Sequence, residues 1–263
     1  MTDATPAFDA TVPHSARVWS YWLGGKDHYP ADRGLGERIR RDAPEIVEIA
    51  RADRRFIIRS ITHLAAREGV RQFLDVGTGL PTDDNTHEVA QAVARDAEVV
   101  YVDNDPMVLA HARALLTGTP EGGTHFIDAD LLEPEELLGR ARAYLDFTRP
   151  IALTFMSTLG HYPADERLYA LIRTYVDALP SGSFLALNDS THTSPQIVDS
   201  AVKWNQNSAL PIHLRSPEQI EACFAGLELL DPGVVSLPFW RPDPARHEET
   251  REVAQYGGVG RKP

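Results

Sequence analysis

Gln72–Thr82 reads QFLDVGTGLPT, and this stretch decides the fold. QFLDV is mostly apolar and β-prone, so it predicts a strand that the following glycines end. Gly77 and Gly79 permit a tight turn and a close approach of backbone to a ligand. A helical pattern follows over His87–Arg95. Strand, glycine turn and helix together open a βαβ unit. In open α/β sheets ligands bind beyond the carboxyl ends of the strands, so this turn is also the first place to look for a site.

Toward the C-terminus the same alternation continues. Glu98–Val102, Thr124–Ile127, Ile151–Met156 and Ser183–Leu187 are strand candidates. Pro106–Leu116, Pro134–Leu145 and Ala164–Leu179 are helices between them. Strands spaced by helices imply crossovers and a mostly parallel sheet. Their continuous apolar character fits strands covered on both faces. Ser216–Ala225 predicts a further helix. Leu227–Leu230 and Val253–Val259 predict two last strands, joined through a proline-rich loop at Pro238–Pro244 and paired as an antiparallel hairpin at one sheet edge.

Toward the N-terminus, Ile46, Ile49, Ile57, Ile61 and Leu64 recur at helical spacing within Pro44–Glu68. Arg17–Tyr29, RVWSYWLGGKDHY, is an aromatic helix or turn broken at Gly24-Gly25, and Met1–Pro13 reads as a loose arm. Residues 1–43 are therefore expected to form an arm and helical cap on a domain spanning 44–263, the two making one compact unit.

Composition narrows the function. A chain of 263 residues buries a large core without disulfides or structural metals. Its longest apolar runs fall far short of the roughly 18 residues of a membrane span. The net charge of −12 and the lack of a basic run argue against a nucleic-acid partner. Cys223 is the only cysteine, which excludes an internal disulfide and a cysteine-based zinc site and fits a reducing cytoplasm. The first fifteen residues carry Asp3 and Asp9 and no apolar core, which argues against a signal peptide. No histidine pair lies beside acids at metal-ligand spacing, so no metal is expected. The acidic surface is compatible with a monomer or a homodimer.

Three strand tips carry acids. Asp75 precedes the Gly77-Thr78-Gly79 loop, where a carboxylate suits an amino group and repels phosphate. Thr82 stands where a nicotinamide fingerprint has its third glycine. Asp103 ends the second strand, 28 residues after Asp75, where one carboxylate can accept from both ribose hydroxyls. Either Asn104 or Asp105 caps the helix at Pro106, and Asn104 is also a cofactor candidate. After the third strand Asp130, with Leu131 beside it, is the preferred partner for an adenine amine; capping the helix at Pro134 is its competing use. Together these tips describe a pocket for an adenosine carrying an amino acid. S-adenosylmethionine is the leading candidate, because its sulfonium cation suits a carboxylate-lined site.

His161 follows the fourth strand and His192 the fifth, so each is a candidate base for a hydroxylated acceptor. The competing reading makes each a surface residue or a hydrogen-bonding brace. The fourth strand lacks the Asn/Asp-Pro-Pro-aromatic motif of amino-methylating DNA enzymes. Gly25 is a candidate hinge and cofactor contact, and Lys26 a candidate partner for the methionine carboxylate. Trp19, Tyr21 and Trp22 either cover an apolar ligand face or pin the arm to the core. His87 is expected to help shape the pocket. Lys203–His213, with Trp204 and Pro211, is a candidate second wall for an acceptor.

RVWSYWLGGKDHYPADR (17–33), RQFLDVGTGLPT (71–82), VVYVDNDPMVLAHARALL (99–116) and QYGGVGRKP (255–263) resemble an actinobacterial family of S-adenosylmethionine-dependent methyltransferases, long catalogued as a domain of unknown function. The resemblance runs from about His14 to the C-terminus. It implies the Rossmann-like class I methyltransferase fold, with helices on both faces of a seven-stranded, mostly parallel sheet whose last strand is antiparallel. It also implies cofactor contacts at Gly77, Asp103 and Asp130. It supplies no substrate; the expected acceptor is a small molecule. Pro81 stands where the wider superfamily commonly has a third glycine, which puts contacts at Leu80 and Thr82 in doubt. Two other functions stay open: a protein that binds S-adenosylmethionine or S-adenosylhomocysteine without catalysis, and a nicotinamide-linked oxidoreductase. Thr82 and the lack of a Tyr-x-x-x-Lys pair after the fourth or fifth strand disfavour the oxidoreductase.

Overall fold

The structure is a computed structural model that describes residues 9–208, 210–243 and 251–263. Residues 1–8 of the expected arm, Ala209 of the expected second wall and Pro244 of the proline-rich loop lie outside the described residues. The central sheet has the order β3-β2-β1-β4-β5-β8-β6, with β7 also paired to β8. β1 (Gln72–Val76), β2 (Glu98–Asp103), β3 (Thr124–Asp128), β4 (Ala152–Met156) and β5 (Phe184–Ser190) run parallel. β8 (Gln255–Arg261) runs antiparallel to β5.

The expected antiparallel pairing of the last strands closes one edge of the sheet. β8 is an interior strand, between β5 on one side and the short segments β6 (Glu228–Leu229) and β7 (Val235–Ser236) on the other. The pairing of β6 with β8 is antiparallel as expected, but the seventh position of the sheet is split in two. Pro232 and Gly233 interrupt it, since a proline cannot donate to a ladder and Gly233 turns the chain at φ +83°.

Every β1 residue is buried, which is why its pattern is apolar rather than alternating. Successive side chains serve opposite layers. Leu74 and Val76 join Leu137, Leu138, Leu168 and Ile172 under α6 (Pro134–Ala141) and α7 (Glu166–Asp177). Phe73 points the other way, to Phe56, Ile61, Leu64 and Val89 under α3 (Ile46–Ala66) and α4 (Thr86–Val93). α5 (Pro106–Leu115) follows β2, its N-cap being Asp105, which accepts from Met107 N at 2.7 Å. That resolves the choice between Asn104 and Asp105. The observed α3, α6 and α7 are each a few residues shorter than the sequence suggested, as helix ends commonly are. No helix among the described residues is long and apolar enough to cross a membrane.

α1 (Ser15–Trp22) and α2 (Pro30–Asp42) cover the carboxyl edge of this sheet. They pack with the start of α3 and with α8 (Pro195–Asn207), a helix that the sequence reading did not identify, in a separate apolar cluster holding Val18, Trp22, Leu35, Ile39, Ile197 and Trp204. A buried ion pair fixes the cap: Arg17 Nε lies 2.9 Å from Asp32, each side chain at most 3% exposed. Asp32 also accepts from His14 N at 2.9 Å and Tyr29 N at 2.8 Å. The conspicuous RVWSYWLGGKDHYPADR segment thus closes on itself through the Arg17–Asp32 pair. α9 (Pro217–Ala222) completes the helices and carries a Ser216–Gln219 capping box.

Candidate active site

The strand tips converge on a cavity of about 280 Å³, near the lower end of the roughly 300–1,000 Å³ typical of ligand clefts. Its floor is the Gly77–Gly79 turn. Gly77 has φ +73°, and a Cβ there would lie 2.8 Å from that of Thr158, so both backbone conformation and space demand glycine. Gly79 N donates to Asp103 Oδ2 at 3.0 Å, while Asp103 Oδ1 accepts from Asp105 N at 2.9 Å. One carboxylate therefore ties the glycine turn to the tip of β2. Burial pushes Asp103 up to about 6, against the pull of the Asp105 and Gly79 amides.

Asp75 is buried deeper. Its oxygens accept from Thr154 Oγ1 and Thr86 Oγ1, both at 2.7 Å. Burial raises its pKa, and those hydroxyls oppose the shift. Thr78 and Asn104 also line the cavity, as does Leu131, which forms an apolar end with Ala129 and Tyr162.

Other predicted residues lie elsewhere. Asp130 is outside this lining: its Oδ1 accepts from Leu132 N at 2.9 Å and serves the turn after β3, while Glu133 is the N-cap of α6, so Asp130 does not cap that helix either. Gly25 and Lys26 are exposed and outside the lining, because Gly25 folds back on Ser20 with its N–H on the Ser20 carbonyl at 2.8 Å. His192 is exposed and outside both chambers described here, its N–H bound to Arg215 O at 3.1 Å. His87 packs behind the turn, its ring against Tyr101 and 2.9 Å from the hydroxyl.

His161 does face the cavity, just after β4. Its Nδ1 lies 2.9 Å from Pro211 O. A carbonyl only accepts, so Nδ1 carries the hydrogen and Nε2 is left with a free lone pair in the neutral ring. Behind it Arg215, 1% exposed, donates to Asp189 at 2.6 Å and to the Leu159 and Tyr162 carbonyls at 2.7 Å each. Arg215 thus ties the tip of β5 to the turn that carries His161. Burial raises the Asp189 pKa, and the Arg215 guanidinium opposes it.

Two functional candidates escaped the sequence reading. Asp53 and Arg54 of α3 both reach the cavity. Asp53 is 3% exposed, and burial pushes it up to about 6 against the Arg54 charge. It sits one helical turn from Ile49 and one from Ile57 on the buried stripe, a charge where an apolar residue belongs, and that was the available signal. Asp53 Oδ1 receives Ser157 Oγ at 3.0 Å. Ser157 has φ +56°, a strained backbone for a serine, at the tip of β4. Gln255 Nε2 of β8 donates to Ser157 Oγ at 2.7 Å and to Asn188 Oδ1 at 2.9 Å, which locks this strained tip to its neighbours. Arg54 Nη2 donates to the Asp84 carbonyl at 2.5 Å and to the Asp83 carbonyl at 3.1 Å, and the side chain lines the cavity. Trp19 and His14 of the cap roof the site, and His14 Nε2 reaches Asp105 at 3.2 Å. Among the described residues no group of three or more His, Cys, Asp or Glu is placed to hold a metal.

The geometry can be set beside known proteins. The sequence profile of the S-adenosyl methyltransferase family matches residues 1–263. A DUF574-family protein from Streptomyces avermitilis is 41% identical and superposes with a TM-score of 0.91, over 97% of this chain and 99% of that one. A candidate methyltransferase from Thermobifida fusca is 38% identical with a TM-score of 0.87, over 100% and 99% of the two chains. A magnesium protoporphyrin IX methyltransferase from Synechocystis with bound S-adenosylhomocysteine shares the fold at 13% identity, with a TM-score of 0.54 over 94% and 93%. No curated protein matches the sequence.

Proposed function

The chain belongs to the S-adenosyl methyltransferase family, whose cofactor is S-adenosylmethionine, and on that premise we propose that it methylates a small-molecule acceptor held beyond the tips of β4 and β5. The cofactor fits the cavity by chemistry. The glycine turn leaves open space at Gly79 where a ligand can meet backbone, buried acids suit its cations, and Leu131 and Tyr162 offer an apolar slot for a base.

Asp103 would hold the ribose hydroxyls with the lone pairs left free by Gly79 and Asp105. Arg54 would meet the methionine carboxylate, a role for which Lys26 lies too far out on the surface. Asp75 and its two threonines would orient the amino group. Asp53, facing the cavity beside Ser157, would set a negative charge against the sulfonium. The cofactor supplies a methyl group on a sulfonium leaving group. The chain has then to align the acceptor in line, and such positioning alone provides much of the acceleration. His161 Nε2 is the group placed to take a proton from the acceptor. The acidic surface supports a small acceptor over a nucleic acid, and the single buried Cys223 supports a reducing, cytoplasmic setting.

The observation that carries this reading is the Asp103 carboxylate binding the Gly77–Gly79 turn inside the cavity. Calorimetric titration tests it. S-adenosylmethionine and S-adenosylhomocysteine should bind at micromolar concentration, NAD should not, and Asp103→Ala should weaken both sulfur ligands roughly tenfold or more, as loss of a charged hydrogen-bonding group predicts. NAD binding without either sulfur ligand would reject it.

A further inference from the structure

A second chamber opens off the first. It is small, about 80 Å³, and is walled by Trp22, Ile39, Ile46, Ile197, Trp204 and Leu214. These come from α1, α2, α3, α8 and the segment after α8. It shares Ser15, Trp19, Ser157 and His161 with the cofactor cavity, so the two chambers meet where the candidate base stands. One polar side chain is out of place in its wall. Ser200 of α8 is 4% exposed, and its Oγ has no hydrogen-bond partner. A buried hydroxyl left unpaired is costly, so an unpartnered one facing a chamber points to a ligand that completes it.

We infer that this chamber takes a single-ring phenol, with its reactive hydroxyl at the His161 junction and a second, uncharged polar substituent against Ser200. The inference rests on the cofactor reading above. Size selects one ring. An enclosed space of roughly 150 Å³ holds benzene, and this chamber offers about half of that plus its opening into the larger cavity. One ring fits with its reactive edge in the opening, and two fused rings do not. Trp19, Trp22 and Trp204 provide aromatic edges and faces for it. The only acid in the wall, Asp189, is committed to Arg215, which favours an uncharged ligand. In the reaction the phenol oxygen bonds to the methyl carbon as the carbon–sulfur bond breaks, and sulfur keeps the electron pair. The phenolic proton passes to His161 Nε2 and from this half-exposed ring to solvent.

The test titrates the S-adenosylhomocysteine-loaded protein with para-hydroxybenzyl alcohol, para-cresol and beta-naphthol, after the binding of S-adenosylhomocysteine has itself been measured. Para-hydroxybenzyl alcohol should bind, and beta-naphthol should bind roughly tenfold more weakly. Ala201→Phe, which fills the chamber, should weaken both single-ring phenols by roughly tenfold or more and leave S-adenosylhomocysteine binding unchanged. Ser200→Val should weaken para-hydroxybenzyl alcohol severalfold and spare para-cresol, which lacks the second hydroxyl. S-adenosylhomocysteine binding without phenol binding, equal phenol binding in Ala201→Phe, or tighter binding of beta-naphthol would overturn this inference alone. Failure to bind S-adenosylhomocysteine would overturn the cofactor reading and this inference with it.

Discussion

The two halves of the cleft are built differently. Over β1 and β2 the site is made from strand tips and the turns that follow them, so its residues are near neighbours in sequence: Asp75 to Gly79, then Asp103 to Asp105. Over β4 and β5 it is made from side chains gathered from both ends of the chain. His161 leans on Pro211, Ser157 on Asp53 and Gln255, and Asp189 on Arg215. The first half presents backbone and carboxylates, the second mainly apolar rings and branched chains. A half built from local turns can be held constant while a half built from distant segments is altered, which is a way to keep one cofactor and vary the acceptor.

Breaking the second half should have the largest effect. Arg215→Met leaves Asp189 buried without its counter-charge and frees the turn that carries His161. Removing one partner of a buried pair costs about 3–5 kcal/mol, and urea unfolding should show a loss of that order. A change below about 1 kcal/mol would mean that the pair does not brace this half. Gly77→Ala attacks the first half. It needs a positive φ and pushes a Cβ against Thr158, so stability should fall by roughly 1–3 kcal/mol, with S-adenosylhomocysteine affinity falling as well.

Smaller effects sharpen the boundary between the halves. Arg54→Met should weaken S-adenosylhomocysteine roughly tenfold, read by calorimetry, while Lys26→Met should not change it. The smallest effect is on pH. Asp53 is held up to about 6, so it is charged above that pH and neutral below it. Its attraction for the sulfonium should be present at pH 7 and fade as pH falls through about 6. The preference for S-adenosylmethionine over uncharged-sulfur S-adenosylhomocysteine should therefore decline by up to about tenfold from pH 7 to pH 5, and the decline should be smaller in Asp53→Asn, where Asp103, also held up to about 6, still titrates in this range. The stability sign is separate. A raised carboxyl pKa stabilises the fold fully below the unfolded value of 3.8 and loses that contribution as pH rises through about 6.

This division also explains what the sequence revealed. The parallel sheet and its glycine turn were legible because strand, turn and helix follow one another within QFLDVGTGLPT and the residues after it. Asp103 was legible for the same reason. The interior position of β8 was not, because its partners Phe184–Ser190 lie some seventy residues earlier and nothing local sets which edge the strand joins. Asp130 was ambiguous between a ligand contact and a helix cap, and its carboxylate instead bonds the Leu132 amide of the turn between β3 and α6. Lys26 was drawn in by a charge near conspicuous glycines, whereas the cation at the cavity is Arg54, placed by the rotation of a helix. Ser200 gave no signal, since one serine in a helix looks like surface until the tertiary packing buries it.

Hydrogen exchange with and without saturating S-adenosylhomocysteine tests the division most directly. The account predicts added protection at the Gly77–Leu80 and Asp103–Asp105 amides, with α8 unchanged until a phenol is added. Protection appearing first in α8, with the glycine turn unaffected, would contradict it.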